Sequence, residues 1–557
     1  MDLQQYDAVI IGSGLGGLTC GATLAKAGKK VLVLEQHNLI GGCATCFKRK
    51  GMLVDAGLHE LDWGSPRTDM KHIIFREIGL FDKITLVPLP TAWSIRESNK
   101  KDSQITIPHD NHTKTQSNAQ SHATLSALSQ IFPHEKRGIE KYFKKIAFQA
   151  RLNRKFPFMM SFLDFFFAPL TTLSFLTISA IRNRNVGDML DSMIQDSKLK
   201  RILNINLAYY HNDPYKFDWN YHAIAQTNYY HQGMYIKGGS QNLSNALAAI
   251  ITENGGEVRA NADVMQILLD EKDTTKAVGV CYQDTKNKEQ HNVYGDKIIA
   301  NCDPHSAYTK LLSNVSPKVY ERDSNLTQKF EIQTSLLSVY MVFDTDLSKK
   351  FPDMDYSTFF VDSTEFEKPF NRQNTKQLEI PITQRDFVFV NYSKIDSGLS
   401  QRDDRFLGVI TTVSSYAEWD NLDKEAYKNK KQEVKEAFEK RLEEFFPGIM
   451  ESCIHSELAT PKTIERYVRT RKGTPYGYDQ SNEGFFSRER FKSKSIKNLY
   501  FASVFGFPGS GFTGAILAGY RTARKILDPY FYPRRLSLCV LFGTAVSMGL
   551  VELVRFY

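Results

Sequence analysis

The sequence predicts an α/β fold: a Rossmann-type dinucleotide-binding domain with an α+β domain inserted into it. Three observations carry that expectation. A complete strand–glycine loop–helix–strand unit opens the chain. A second strand–glycine–helix junction lies near its end, and 557 residues are more than one core needs, suiting two or three interleaved domains. The composition, 42% hydrophobic and 24% charged, is that of a globular protein, and 37 Phe and 26 Tyr are enough to line a large apolar pocket.

The first unit, "YDAVIIGSGLGGLTCGATLAKAGKKVLVLEQ" (6–36), can be read almost residue by residue. An apolar strand from Ala8 to Ile11 ends at Gly12, and the loop Gly12-x-Gly14-x-x-Gly17 opens a helix lined with small residues. Such a loop lets backbone N–H groups approach a pyrophosphate, and the helix N-terminus adds a favourable dipole. Gly12, Gly14, Leu15, Gly16 and Gly17 are therefore candidate phosphate contacts. A second strand, Val31 to Leu34, ends in Glu35, eighteen residues beyond Gly17 and placed to accept from ribose hydroxyls, with Gln36 beside it. The fingerprint alone does not separate NAD from FAD.

Next comes "IGGCATCFKRKGMLVDAGLHELDWG" (40–64). Its doublet Gly41-Gly42 would bring a further backbone segment against a cofactor, with Cys43 alongside. Cys43 and Cys46 also read as a Cys-x-x-Cys pair, so two roles compete: a working dithiol, or small packing residues beside a flavin. A flavin disulfide reductase needs a second pyridine-nucleotide domain, and no further complete strand–GxGxxG–helix unit with a following acid is present. The packing role is favoured.

The order "GGCATCFKRKGMLVDAGLHEL" resembles the phytoene desaturase, carotene isomerase and retinol saturase family of FAD-dependent oxidoreductases, in which the doublet is followed by a strand and an Asp-x-Gly turn near the flavin. The matching residues are Gly41-Gly42 and Asp55-Ala56-Gly57. "FPHEKRGIEKYF" (132–143) is similar to the isomerase and saturase branch; "YIKGGSQNLSNALAAIITENGGEVRANADVMQIL" (235–268), "KIIANCDP" (297–304) and "NLYFASVFGFPGSGFTGAILAGYRTARKIL" (498–527) complete the match. The resemblance implies a glutathione-reductase-like FAD-binding domain assembled from 1–69, 235–309 and 491–530. A substrate domain would fill 70–234 and 310–490, and a hydrophobic membrane-associating helix 531–557. It also implies FAD contacts at Gly57, His59, Val264, Asp303, Gly511, Phe512 and Thr513. Many wider relatives carry an arginine beside the doublet; here the neighbours are Ile40 and Cys43, so backbone and dipole must serve the pyrophosphate.

The last segment makes physical sense by itself. A strand (Leu499–Ala502) runs into "GFPGSGFTGA", and the following helix would present free N–H groups from about Phe512 to Ala515 to the charge that a reduced flavin develops. His59 and Glu60, just after the Asp-x-Gly turn, are the acid–base candidates, although both also fit a structural role. Tyr209, Tyr210 and His211 form another polar–aromatic cluster and read as a packed helix end.

Seven scattered cysteines indicate a reducing compartment, and "MDLQQYDAVIIGSG" shows no signal peptide, so the expected location is the cytoplasmic face of a membrane. Net charge is +9, yet there is no zinc-ligand spacing and no nucleic-acid module, so an anionic lipid surface is the expected partner, with no metal. The segment 156–181 holds one charge, Asp164, between basic flanks and is divided by Pro157 and Pro169. It reads either as a monotopic patch dipping into one leaflet or as a buried helix pair. The uncharged run Leu536 to Val551 would cover about 24 Å as a helix, short of the roughly 30 Å hydrocarbon core, and suits a tail anchor or an interfacial helix equally. The polar run 110–124 reads as a loose insertion.

The resulting expectation is an FAD-dependent oxidoreductase acting on a long apolar polyene or isoprenoid lipid, by hydride or electron exchange with flavin N5, with an unidentified electron donor or acceptor. Two alternatives are a non-redox prenyl-lipid carrier of the same fold and an amine or other polar-substrate oxidase. The sequence leaves open whether hydrogens are added, removed or merely moved.

Overall fold

The computed structural model describes residues 5–66, 69–110, 123–155, 184–481 and 492–528. Five parallel strands form the nucleotide-binding sheet, in the order Glu257–Arg259, Val31–Leu34, Gln5–Ile11, Gln290–Ala300, Leu499–Phe501. Numbered along the chain this is 3-2-1-4-5, the doubly wound order whose direction reverses between the first and fourth strands. The antiparallel strands Ala262–Leu269 and Ala277–Asp284 continue the sheet beside the N-terminal half of Gln290–Ala300.

Burial on both faces explains the unbroken apolar runs of these strands. Along Gln5–Ile11, Ala8 and Ile10 face the core shared with helices Leu15–Lys26, Ser240–Glu253 and Gly511–Leu527, whereas Tyr6, Val9 and Ile11 join the opposite core with Ala262, Ile267 and Val280. Close packing of the three helices depends on missing side chains: a Cβ on Gly519 would stand 2.1 Å from the Gly16 carbonyl oxygen.

The second sheet has seven strands, ordered Cys453–Ala459, Ser335–Phe343, Phe406–Ser414, Phe387–Asn391, Ser357–Val361, Trp93–Glu97, Lys100–Ile107. Segments 264 residues apart in sequence thus lie edge to edge, through the parallel pairing of Thr358 with Ser94. One face packs on helix Lys424–Phe445, which buries Val434, Phe438, Leu442 and Phe445 and leaves its charges outside, as its amphipathic pattern requires. The other face, with Val342, Phe359, Val388 and Val409, turns toward the nucleotide-binding domain.

The hydrophobic stretch 156–181 and the C-terminal run 536–557 lie outside the described residues, as does nearly all of the polar insertion. The insertion's two ends are pinned together, since Asp110 Oδ1 accepts the Thr124 N–H at 3.0 Å. No helix among the described residues is long and apolar enough to cross a membrane.

Candidate flavin site and its adjoining cavity

The dinucleotide cradle sits where the strand order reverses. Ile11 and Ala300 end neighbouring strands, and Asn301, immediately beyond, braces the glycine loop: its N–H donates to the Ile11 carbonyl at 2.8 Å and its Nδ2 to the Gly12 carbonyl at 3.2 Å. A Cβ on Gly14 would stand 2.8 Å from Asn301 Nδ2, and one on Gly16 only 1.8 Å from the Ala502 carbonyl oxygen. Two of these glycines therefore serve internal packing as much as access to a ligand. Helix Leu15–Lys26 begins directly at the loop; its first-turn N–H groups have no carbonyl partner within the helix and supply an anion-binding end.

Ser13 stitches three predicted elements together. Its N–H and hydroxyl both donate to Glu35 Oε2, at 2.9 and 2.6 Å, and its Oγ accepts the Gly41 N–H at 3.0 Å. Gly42 lies against Gly14, with its notional Cβ 3.3 Å from the Gly14 Cα. Glu35 Oε1 accepts from the His37 N–H at 2.9 Å, and the neighbouring Gln36 Oε1 is buried without a partner.

The second half of the site converges on Gly57. A Cβ there would meet the Cys43 carbonyl oxygen at 3.1 Å and the Phe512 ring at 3.8 Å, yet Gly57 itself is exposed. Helix Gly511–Leu527 starts here, after the left-handed Gly509 and Ser510. Its first N–H groups, Gly511 to Thr513, point out of the helix, whereas the Gly514 N–H is already spent on the Ser510 carbonyl at 3.1 Å. The free donors thus end one residue before Gly514 rather than continuing to Ala515, and the strand ahead ends at Phe501 rather than Ala502. Thr513 Oγ1 donates to Asp62, which also accepts from Asn228 Nδ2 at 2.8 Å and forms an ion pair with the fully buried Lys71 at 3.3 Å. Burial would depress the Lys71 ammonium, but Asp62 and Asp69 outweigh it and raise its pKa.

Asp55 anchors the turn that carries Gly57. The side chain is fully buried and accepts from the Leu58 N–H (3.0 Å), the Gly57 N–H (3.3 Å), the Tyr235 hydroxyl (3.0 Å) and both the N–H and hydroxyl of Ser240 (2.7 Å each). His59 follows with both ring nitrogens engaged, Nδ1 with the Tyr392 hydroxyl at 2.9 Å and Nε2 with Thr411 Oγ1 at 3.1 Å. Because Tyr392 donates its own proton to the Leu58 carbonyl at 2.8 Å, it accepts from His59, and Thr411 donates to Nε2. The imidazole is neutral, and burial lowers its pKa to about 4. Glu60 points elsewhere, toward Gly233; burial, reinforced by Asp62, pushes its carboxyl well above the carboxylate range, and its Oε1 has no partner. A protonated acid suits that position.

A cavity adjoins His59. Thr411 and Tyr209, whose ring centroid is 6.3 Å from that of His59, belong to its lining, and Leu207, Phe359, Phe366 and Val388 form apolar walls. Arg201 and Asp386 lie in its lining as well. Tyr209 is the one member of the aromatic trio 209–211 to combine this lining role with proximity to His59; His211 instead pairs with Asp479 at 2.9 Å.

Of two further expected contacts, one is engaged by protein partners and the other borders the cradle. Asp303 caps helix Pro304–Thr309 and is bound by the Arg471 guanidinium, with Nη2 at 3.2 Å. Val264 sits in the strand that begins at Ala262, whose N–H donates to the Glu35 carbonyl at 2.7 Å, so its backbone borders the Glu35–Gln36 end of the cradle. The cysteines are free thiols: burial pushes Cys43 up to about 11, and burial together with Asp55 raises Cys46, whose sulfur fills the space beside Gly239. Both shifts disfavour thiolates. Sequence reasoning missed Ser13, Asn301, Asp62 and Lys71. Asn301 had a local signal, a polar residue directly after an apolar strand at the switch point.

The residues fit FAD. Two glycine segments press on each other at the cradle, a helix end faces it, Gln36 Oε1 is buried and unpaired beside Glu35, and a second helix end lies across Gly57. Comparison with known proteins agrees. A family model described as flavin containing amine oxidoreductase matches residues 15–527. Prolycopene isomerase of Daucus carota is 24% identical over 533 residues, covering 94% of this chain and 80% of its own. All-trans-retinol 13,14-reductase of Danio rerio is 25% identical over 547 residues, covering 93% and 86%. Among solved structures, cyclohexylamine oxidase from Brevibacterium oxydans superposes with a TM-score of 0.54 at 16% identity, over 95% of this chain and 100% of that one, which is a likeness of fold.

Proposed function

The chain belongs to the flavin containing amine oxidoreductase family and is an FAD-dependent oxidoreductase; from that premise we propose that its substrate is a long apolar polyene or isoprenoid lipid, taken from a membrane surface and isomerised, saturated or desaturated. When bound, FAD supplies hydride or electron exchange at N5. In this reading Gly12, Gly14 and the first turn of Leu15–Lys26 hold the pyrophosphate, Glu35 the ribose, and Gly57, Cys43 and Phe512 border the ring system. Gly511 to Thr513 direct their N–H groups, with the helix dipole behind them, at charge developing on its pyrimidine side. His59 keeps the floor of the substrate cavity hydrogen-bonded and uncharged, and the phenylalanines exclude water.

The observation that carries the reading is the apolar wall of the cavity beside His59, built from Leu207, Phe359, Phe366 and Val388. A cationic amine would want a net acidic pocket. Here the lining acid, Asp386, shares the cavity lining with the Arg201 guanidinium, so the two charges offset and the pocket offers no surplus negative charge. The two relatives named for a polyene and a retinoid favour the same class. Membrane association rests on the stretch 156–181, whose one charge is Asp164, on the uncharged run 536–551, and on the net charge of +9.

The test is to incubate detergent-purified holoenzyme anaerobically and aerobically with a panel of polyenes and a panel of primary and secondary amines, and to analyse products by mass. A polyene product two hydrogens heavier, two lighter, or isomeric supports the proposal. Amine oxidation with peroxide release and untouched polyenes would overturn it.

A further inference from the structure

The cavity beside His59 is not apolar throughout. Besides Tyr209 and Thr411, its lining includes Arg201, Asp386 and Gln377. Arg201 is held by main-chain carbonyls through Nε and Nη2, to Lys368 at 3.3 and 3.1 Å, Pro369 at 3.4 Å and Asn374 at 3.2 Å. That leaves its remaining nitrogen, Nη1, outside these bonds. Asp386 accepts the Asp362 N–H at 3.0 Å and Gln377 Nε2 at 3.2 Å, which fixes the amide and leaves Gln377 Oε1 buried with no partner. Asn204, also in the lining, has a buried and unpartnered Oδ1. A buried unsatisfied acceptor costs free energy that a donor on a ligand would recover.

We infer that Arg201, Asp386, Gln377 and Asn204 form a subsite for one polar terminus of the substrate, a neutral group that both donates and accepts hydrogen bonds, of which a hydroxyl is the smallest. This rests on the proposed polyene reading and adds to it an orientation. The polar end is held at Arg201, the conjugated chain runs along Phe359 and Phe366, and the segment beside His59 and the flavin is selected by its distance from that end. The donor–acceptor balance decides the class. A hydrocarbon end would leave Gln377 Oε1 and Asn204 Oδ1 unpaired. A carboxylate would meet two unpaired acceptors and the like charge of Asp386, whose counter-charge in the lining is already Arg201.

The experiment measures equilibrium binding to the holoenzyme of three polyenes of equal length, ending in a hydroxyl, a hydrogen or a carboxylate, and then compares Gln377→Met and Asp386→Asn. The wild type is expected to bind the alcohol at least about 10-fold more tightly than either analogue, about the worth of one buried hydrogen bond. Each variant is expected to collapse that ratio toward unity. Equal wild-type affinities for alcohol and hydrocarbon would overturn the subsite while leaving the polyene reading standing, and this readout needs no variant to fold. Tighter binding of the carboxylate would overturn the assignment of the end group. If no polyene binds and amines are oxidised, it is the underlying reading that fails.

Discussion

His59 shows how far a residue's type underdetermines its job. An exposed histidine titrates near 6.5, in the range useful for general catalysis; this one is half-buried and hydrogen-bonded to Tyr392 and Thr411, with its pKa lowered to about 4. The folded state therefore binds the proton less readily than the unfolded chain. Stability from this group is fully present above about 6.5 and is lost as pH falls toward 4, amounting to about 3 kcal/mol across the window. His222, held by the Tyr142 hydroxyl at 3.0 Å and lowered to about 3, adds a loss of the same sign. Thermal melts should show His59→Gln losing less stability than wild type between pH 7 and pH 5, and the pH profile of turnover should carry no limb near 6.5. The cysteines give a second residue-scale expectation. With both thiols raised, the Cys43→Ala/Cys46→Ala double variant should retain FAD and normal flavin reduction, as followed by anaerobic bleaching; abolished reduction would restore the dithiol. Asp55→Ala removes five hydrogen bonds to a buried carboxylate and should destabilise the protein by about 3 kcal/mol or more in urea unfolding, with loss of FAD.

At the scale of elements, what could be read along the chain was what is local to it. The strand–loop–helix–strand unit and Glu35 are contiguous, so period, glycine spacing and terminal acid sufficed. The helix after Gly511 was legible for the same reason, and its donors begin one residue and end two residues earlier than expected because the turn at Gly509 and Ser510 starts the helix earlier than the pattern suggested. The partners of those elements were not legible. Asp55 meets Ser240 across 185 residues, His59 meets Thr411 across 352, and Thr513 meets Asp62 across 451; no periodicity records such pairings. Glycines make the same distinction testable. Gly16→Ala drives a methyl into the Ala502 carbonyl and must displace either helix Leu15–Lys26 or strand Leu499–Phe501, so soluble FAD-loaded protein should be lost. Gly28→Ala meets nothing within 4 Å and has only its positive φ of 81° to overcome. It should cost about 1 kcal/mol in denaturant melts and keep the cofactor.

For the whole molecule, the two sheets share one purpose: the parallel sheet presents the cradle, and the face of the second sheet bearing Phe359 and Val388 lines a cavity that also takes in Thr411, the hydrogen-bond partner of His59. A lipid substrate of the kind proposed would come from a membrane, and the basic-flanked stretch 156–181 is the proposed membrane contact. Holoenzyme should co-sediment with anionic vesicles, less so at high salt, and Phe165→Ser/Phe166→Ser/Phe167→Ser should weaken this more than removal of 531–557; an unchanged partition would remove that stretch from the account. The central claim, a redox flavin acting on a polyene, meets its most direct test in one comparison. Apoprotein is prepared, one half is reloaded with FAD, and both halves are incubated with the same polyene while its absorption and product mass are followed. The account predicts about one FAD per chain, bleached on anaerobic reduction, and polyene conversion only in the loaded half. Polyene bound but unchanged in both halves, with no FAD retained, would contradict it and leave a lipid carrier.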